Sequence, residues 1–176
     1  PQNPFFIHGK SYCYIASSDG KPVAGAVLFL HPEHQGQVAH IGFIEFHSES
    51  GGTKILEHVQ RESLRLGYAK MRAPVDGSLW SSFRLALHAS DDPFFGEPHH
   101  PASYEGGFRQ LGFTMLQKNL SLEEALETSP LSKFSTIRDA LLLEGIVTSL
   151  ISQAALIEHA PEIFALLKEG FPEADA

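Results

Sequence analysis

Residues 37–73 read QVAHIGFIEFHSESGGTKILEHVQRESLRLGYAKMRA, and the hydrophobic period changes twice within them. Over residues 37–47 apolar side chains fall on both faces of an alternating pattern. Ile41 and Phe43 share one side with Glu45 and His47, while Val38, Ile44 and Phe46 share the other. Large groups on both faces predict a central strand. After Ser50-Gly51-Gly52 the period lengthens. Across residues 53–66, Ile55, Leu56, Val59, Ser63 and Leu66 recur at helical spacing, with Lys54, Glu57, Arg61, Glu62 and Arg65 elsewhere. Gly67 suits a helix terminus, and residues 68–73 return to a short extended run closed by Pro74. Strand, glycine-bearing turn, helix and strand make a βαβ unit, which predicts two parallel strands and a right-handed crossover.

Upstream, residues 11–18 form an aromatic and β-branched run ending at Asp19-Gly20, a strong short-hairpin signal. Residues 23–31 supply the partner strand, centred on Val27-Leu28-Phe29-Leu30. Downstream, residues 75–101 are irregular and rich in aromatics, Pro and His, with a turn of helix expected within 79–87. Long segments of this kind in compact domains are usually functional or mobile. A helix over 101–111 follows, with Pro101 in its first turn and Gly112 stopping it, then a strand over 113–120. Ser121 and Glu124 have capping-box spacing for a short helix. The tail predicts helices over 131–143 and 161–168 with a strand over 145–152 between them. The expected fold class is α/β of mixed (α+β) type. It comprises a central mixed sheet with an antiparallel N-terminal half, one βαβ crossover and flanking helices.

Composition narrows the function classes. The 176 residues are 43% hydrophobic and 19% charged, a globular balance. A net charge of -8 argues against a nucleic-acid footprint and gives no attraction to an anionic membrane. Cys13 is the only cysteine, so no intrachain disulfide forms and a reducing compartment, the cytoplasm, is expected. The opening Pro-Gln-Asn-Pro gives no expectation of a signal peptide, and the sequence holds no apolar run of about 18 residues. The missing initiator Met suggests numbering that starts inside a longer chain.

In order and spacing, several pieces resemble the GNAT superfamily of N-acyltransferases, and more narrowly a subgroup of large GNAT-like proteins. They are Asn3-Pro-Phe-Phe-Ile-His8, Asp19-Gly20 with Val23-Ala24-Gly25, Gly42-Phe43-Ile44-Glu45 and Ala73-Pro74-Val75-Asp76. Further on come Ser78-Leu79-Trp80, the run Asp92-Pro93-Phe94-Phe95-Gly96-Glu97-Pro98, and Tyr104 leading to Leu111-Gly112-Phe113. The resemblance spans residues 5–121, which it makes an acyl-CoA-binding body. Residues 122–176 would then complete the domain or begin a second lobe.

The resemblance implies acetyl-CoA, or another acyl-CoA, as co-substrate. It would lie in a V-shaped opening between the strand at 37–47 and the strand at 68–73. The pantetheine arm would pair with the backbone of Phe43, Ile44 and Phe46, and the pyrophosphate would rest on the turn holding Ser50, Gly51, Gly52 and Thr53. A helix start favours phosphate through its unpaired N–H groups and dipole. The acceptor implied is a small-molecule or protein amine, with no nucleic acid and no membrane partner, and a homodimer is allowed. Two departures from the superfamily stand out. Ser48-Glu49-Ser50-Gly51-Gly52-Thr53 lacks the usual basic or amide lead and places a carboxylate near the phosphates. Phe108 stands where the acid is normally a tyrosine, and Tyr104, one turn earlier, is the substitute.

Each candidate has a plainer alternative. Glu45 and His47 project to one side of a strand, and either becomes a base if burial moves its pKa toward neutrality. Otherwise both are solvated at a strand end. Ser50 to Thr53 form either a phosphate cradle or an ordinary helix start. Trp80, Phe83, Phe94, Phe95 and Tyr104 line a substrate pocket or pack beneath a loop. Asp91, Asp92 and Glu97 attract an amine or solvate that loop. His31, His34, His99 and His100 lack a full ligand set, so no metal is expected, and they are read as surface groups or as one contacting substrate. Cys13 falls within an apolar strand, where a thiol is inert.

Overall fold

The computed structural model describes residues 5–31, 38–78, 81–87, 96–120 and 131–170. Trp80, Phe94, Phe95, Asp91, Asp92 and the helix expected from Ser121 lie outside them. The chain divides into two compact units, Pro1–Lys118 and Asn119–Ala176. It is a mixed α/β protein.

The first unit holds a four-stranded mixed sheet in the order β1-β2-β3-β4. Strand β1 (Lys10–Ser18) and β2 (Lys21–Leu30) are antiparallel, joined by Asp19-Gly20 with φ of 51° and 75°. Two successive positive φ values are the hairpin geometry that this dipeptide favours. Strand β3 (Val38–Phe46) runs antiparallel to β2 on one side and parallel to β4 (Lys70–Arg72) on the other, so it is central as expected.

Between β3 and β4 lies α2 (Glu49–Arg65), one residue in from its cap Ser48, whose hydroxyl accepts the Gly51 N–H at 3.2 Å. The helix therefore starts before the expected residue 53. Ser50, Gly51, Gly52 and Thr53 are in its first turns rather than in a turn ahead of it. Sequence periodicity missed this because glycine carries no hydrophobic signal. At the other end Gly67, with φ of 91°, donates to the Leu64 carbonyl and Tyr68 donates to that of Ser63, both at 3.0 Å. These are the paired bonds of a Schellman stop. Helix α3 (Ser103–Gln110) ends the same way at Gly112, through Gly112 to Arg109 and Phe113 to Phe108.

The core lies between one sheet face and these two helices. Ala24, Ala26 and Leu28 of β2 and Ala39, Ile41 and Ile44 of β3 meet Ile55, Leu56 and Val59 of α2 and Tyr104 and Phe108 of α3. The opposite face carries Phe29, against which Phe5 of the short α1 (Phe5–His8) stacks edge-on at 5.0 Å. Cys13 is exposed, not enclosed as its apolar neighbours suggested, because alternation turns it away from the helix-covered face.

Three further expectations are corrected. Residues 113–120 are not a strand; after the α3 stop they find no ladder partner among the described residues. Residues 81–87 contain no helical turn, and Phe83 instead bridges back to Val75. Residues 145–152 are not a strand either. Gly145 and Ile146 make the closing bonds of α4 (Leu131–Leu143), and Ser152 caps α5 (Gln153–Glu158) by accepting the Ala155 N–H at 3.1 Å. This β-branched run, lodged between a helix stop and a helix start, has no neighbouring strand to join among the described residues. Helix α6 (Ala160–Gly170) covers the expected 161–168. Among the described residues no helix is long and apolar enough to cross a membrane.

Gly52 marks where α2 comes closest to the sheet. A Cβ there would stand 2.7 Å from the Phe46 ring, whereas a Cβ at Gly107 in α3 would meet nothing within 4 Å. Gly52→Ala should lower stability by about 1–3 kcal/mol through overpacking. Gly107→Ala should raise it by about 0.5–1 kcal/mol through chain entropy. Urea denaturation of the two variants checks the opposite signs.

Candidate functional site

The site is built where β4 leaves β3. Regular pairing covers only Val38 with Lys70, Ala39 with Met71 and His40 with Arg72. Beyond that the β4 side of β3 is held piecemeal. The Val75 N–H donates to the Ile41 carbonyl at 2.8 Å, and the Phe43 N–H donates to the Asp76 carboxylate at 2.6 Å. The Tyr104 hydroxyl serves the next two groups, accepting the Phe46 N–H at 3.2 Å and lying 3.4 Å from the Ile44 carbonyl. The chain that continues from β4 thus stays against β3 as far as Phe43 and parts from it there, and beyond that point a tyrosine hydroxyl takes the place of a neighbouring strand.

A bulge accompanies the parting. Between the pairs Gly25–Glu45 and Val27–Gly42 the register slips, so Phe43 and Ile44 together oppose Ala26. Phe43 has φ of 45°, a left-handed conformation that costs a bulky residue about 1–2 kcal/mol. The alternation expected across residues 37–47 is overturned here. Ile41 and Ile44 both point into the core, at 0% and 6% exposure, whereas Phe43 is half exposed beside Phe29. No sequence period announces a bulge, because one inserted residue looks like the next member of the strand.

Around this parting lies a cleft of about 100 Å³. Among its lining residues are Phe43, Glu45, Asp76, Arg84, His100 and Tyr104. Tyr104 is 3% exposed and its ring stacks on Phe46 at 3.8 Å. Burial raises its phenol pKa, opposed by the Phe46 N–H and reinforced by the Glu45 carboxylate. The hydroxyl thus keeps its proton at neutral pH. That single proton goes either to the Ile44 carbonyl or to Glu45 Oε2, which is also 3.4 Å away.

His100 accepts the Ala86 N–H at Nδ1, 3.3 Å away. That bond assigns the ring proton to Nε2 in the neutral form. Burial lowers its pKa against the pull of the Glu45 and Asp76 carboxylates, with His99 adding to the lowering. The Arg84 guanidinium lies 5.3 Å from the Phe83 ring centroid and 3.9 Å from Glu97. Its backbone φ of 99° is another left-handed value at the cleft, and such strain gathers at functional sites.

Of the residues singled out from sequence, Glu45, Tyr104, Phe43, Ile44 and Phe83 line this one cleft. His47 does not; it is exposed, and its backbone N–H pairs with Val23. Phe108 also lines the cleft and lies in the core, edge-on to Phe113. Ser50 and Thr53 border a separate open depression with Glu49, Lys54, Glu57 and Gln110. Glu49 sits in the first turn of α2 and accepts from the Gln110 amide at 3.1 Å. With Ser48 occupying the Gly51 N–H, this helix start already has an internal anion and an internal cap. Gly51 and Gly52 are buried against the sheet. Among the described residues no group of three or more His, Cys, Asp and Glu is placed to hold a metal ion.

Sequence reading did not single out Asp76, Arg84 and His100 as cleft residues. Asp76 carried a signal only as the end of Ala73-Pro74-Val75-Asp76, and His100 was weighed with the other histidines as a metal ligand, a surface group or a substrate contact. The chain matches no protein-family model, no curated protein and no solved structure.

A histidine with a depressed pKa favours folding while neutral. Its contribution is present above the ordinary value of 6.5 and is lost as pH falls through the lower folded value. The thermal midpoint should therefore fall more steeply below pH 6.5 in the native protein than in His100→Gln. Parallel melting curves from pH 7.5 to about 4.5 check this.

Proposed function

We propose that this chain is an acyl-CoA-dependent N-acyltransferase of the GNAT type, moving an acyl group, most simply acetyl, from a CoA thioester to an amine. What carries the reading is the parting of β3 from β4 with Glu45 and Tyr104 in contact at the cleft beside it. An extended amide chain has edge groups to pair with there, at Ile44 and Phe46, which now share one hydroxyl. The α2 start supports phosphate binding less well, since Ser48 and Glu49 already occupy it.

The acyl thioester supplies an electrophilic carbonyl and a sulfur leaving group. Glu45 takes the proton released as the amine nitrogen bonds to that carbonyl. Tyr104, kept protonated by burial, gives its hydroxyl proton to the sulfur as the C–S bond breaks. Their 3.4 Å contact then lets Glu45 return the captured proton to the phenolate, so one proton passes from amine to thiol. His47, exposed and outside the cleft, has no part in this scheme. The neutral His100, which lines the cleft with its Nδ1 taken by Ala86, keeps its Nε2 proton for donation and orients substrate. The acceptor is a small-molecule or protein amine, the compartment is cytoplasmic, and residues 1–121 form the acyl-CoA-binding body.

A second reading is a GNAT-fold binding module that has lost its cofactor. The Ser48 cap and the Glu49 carboxylate at the α2 start, and the Tyr104 hydroxyl on the Ile44 and Phe46 edge groups, favour it. Calorimetric titration with acetyl-CoA separates the two. Heat of binding with a thermal upshift is expected, and the absence of both at millimolar ligand would sink the enzyme. Given binding, Glu45→Gln should lower kcat by about 10²–10⁴-fold while changing cofactor affinity little. Equal losses in both remove Glu45 as the base.

Tyr104→Phe should likewise abolish most turnover. Acetyl-CoA should bind it no more weakly than the native protein, because Ile44 and Phe46 lose an internal competitor. A stopped assay run beside the calorimetry measures both.

A further inference from the structure

We infer that Asp76 is the positioning residue of this site, setting the direction of Glu45 and the edge groups that Tyr104 serves by holding the left-handed bend at Phe43. The importance of that direction for acyl transfer rests on the function proposed above; the positioning itself does not.

The geometry around Asp76 leaves little freedom. Its own N–H donates to the Ser82 carbonyl at 2.7 Å, while the preceding Val75 donates to Ile41 and bridges to Phe83. Asp76 is thereby fixed from both neighbouring strands of chain. From there its carboxylate accepts the Phe43 N–H at 2.6 Å, a short bond of the charge-assisted kind. Gly42 makes the approach possible. A Cβ there would fall on the Val75 carbonyl and on Asp76 itself.

Phe43 is where the register slips and where φ is 45°. Without an acceptor for its N–H, the bend would relieve its strain by returning to ordinary extended backbone. A strand that loses its bulge reverses the faces of every residue beyond it. Those residues are Ile44, Glu45 and Phe46, which contribute the core contact, the carboxylate and the N–H met by Tyr104. One carboxylate thus fixes the register of the whole catalytic end of β3. An acceptor oxygen is what the bend requires, so asparagine should replace aspartate far better than alanine does.

Hydrogen–deuterium exchange of Asp76→Ala and Asp76→Asn, followed amide by amide by NMR, tests this without any ligand. In Asp76→Ala the amides of both Phe43 and Phe46 should lose protection while those of Leu28 and Val59 in the core keep theirs. Asp76→Asn should retain most of the protection at Phe46. Loss confined to Phe43, with Phe46 still protected, overturns the inference. So does equal loss at Phe46 in both variants. If Asp76→Ala unfolds, exposing Leu28 and Val59, Asp76→Asn decides alone. Protection at Phe46 supports positioning, and its loss over an intact core refutes it. Turnover of Asp76→Ala should fall about tenfold to 100-fold in kcat with little change in KM, and Asp76→Asn should fall less. A native protein without acetyl-CoA binding would end the acyltransferase reading and leave the exchange result standing.

Discussion

A strand inside a protein must find a partner for every backbone N–H and C=O that water cannot reach. Beyond His40, β3 meets that demand on its β4 side without a strand. Val75, Asp76 and Tyr104 satisfy four successive edge groups between Ile41 and Phe46. Everything distinctive about the cleft follows from this substitution. Side chains that replace a strand bring their own chemistry with them: here a carboxylate, and a phenol that touches a second carboxylate. A continuous ladder would have buried the same backbone and left no cleft.

The same constraint explains the glycines at the start of α2. Phe46 is covered by the Tyr104 ring on one side and by Gly52 on another, so the helix must approach the sheet closely where β3 ends. Gly52 is needed for that contact whether or not a phosphate ever binds. The glycine-bearing start of α2 is thus first a packing feature. The edge of β3 is the part of the molecule that carries the functional argument.

Much of this architecture was legible from residue order. The Asp19-Gly20 hairpin, the central strand, the helix running into Gly67 and the helix ending at Gly112 each rest on local chemistry that acts within a few residues. What escaped depends on contacts distant in sequence. The bulge at Phe43 exists because Asp76, 33 residues away, holds its N–H. The runs 113–120 and 145–152 have strand composition, but composition does not provide a neighbour to pair with. His100 and Asp76 became site residues only when the chain returned to the β3 edge. Glu45 and Tyr104 were readable as a pair of roles, and their contact at 3.4 Å was not.

The parting of β3 from β4 is best tested by mapping short proton–proton distances across the two strands by NMR in solution. Contacts should join Val38–His40 to Lys70–Arg72, continue only where Val75 and Asp76 meet Ile41–Phe43, and end before Ile44, and the Tyr104 ring protons should lie close to the Phe46 amide. A ladder of contacts that continues unbroken from His40 to Phe46 along the chain after Arg72, with Tyr104 away from Phe46, would contradict the divergence on which the cleft and its chemistry depend.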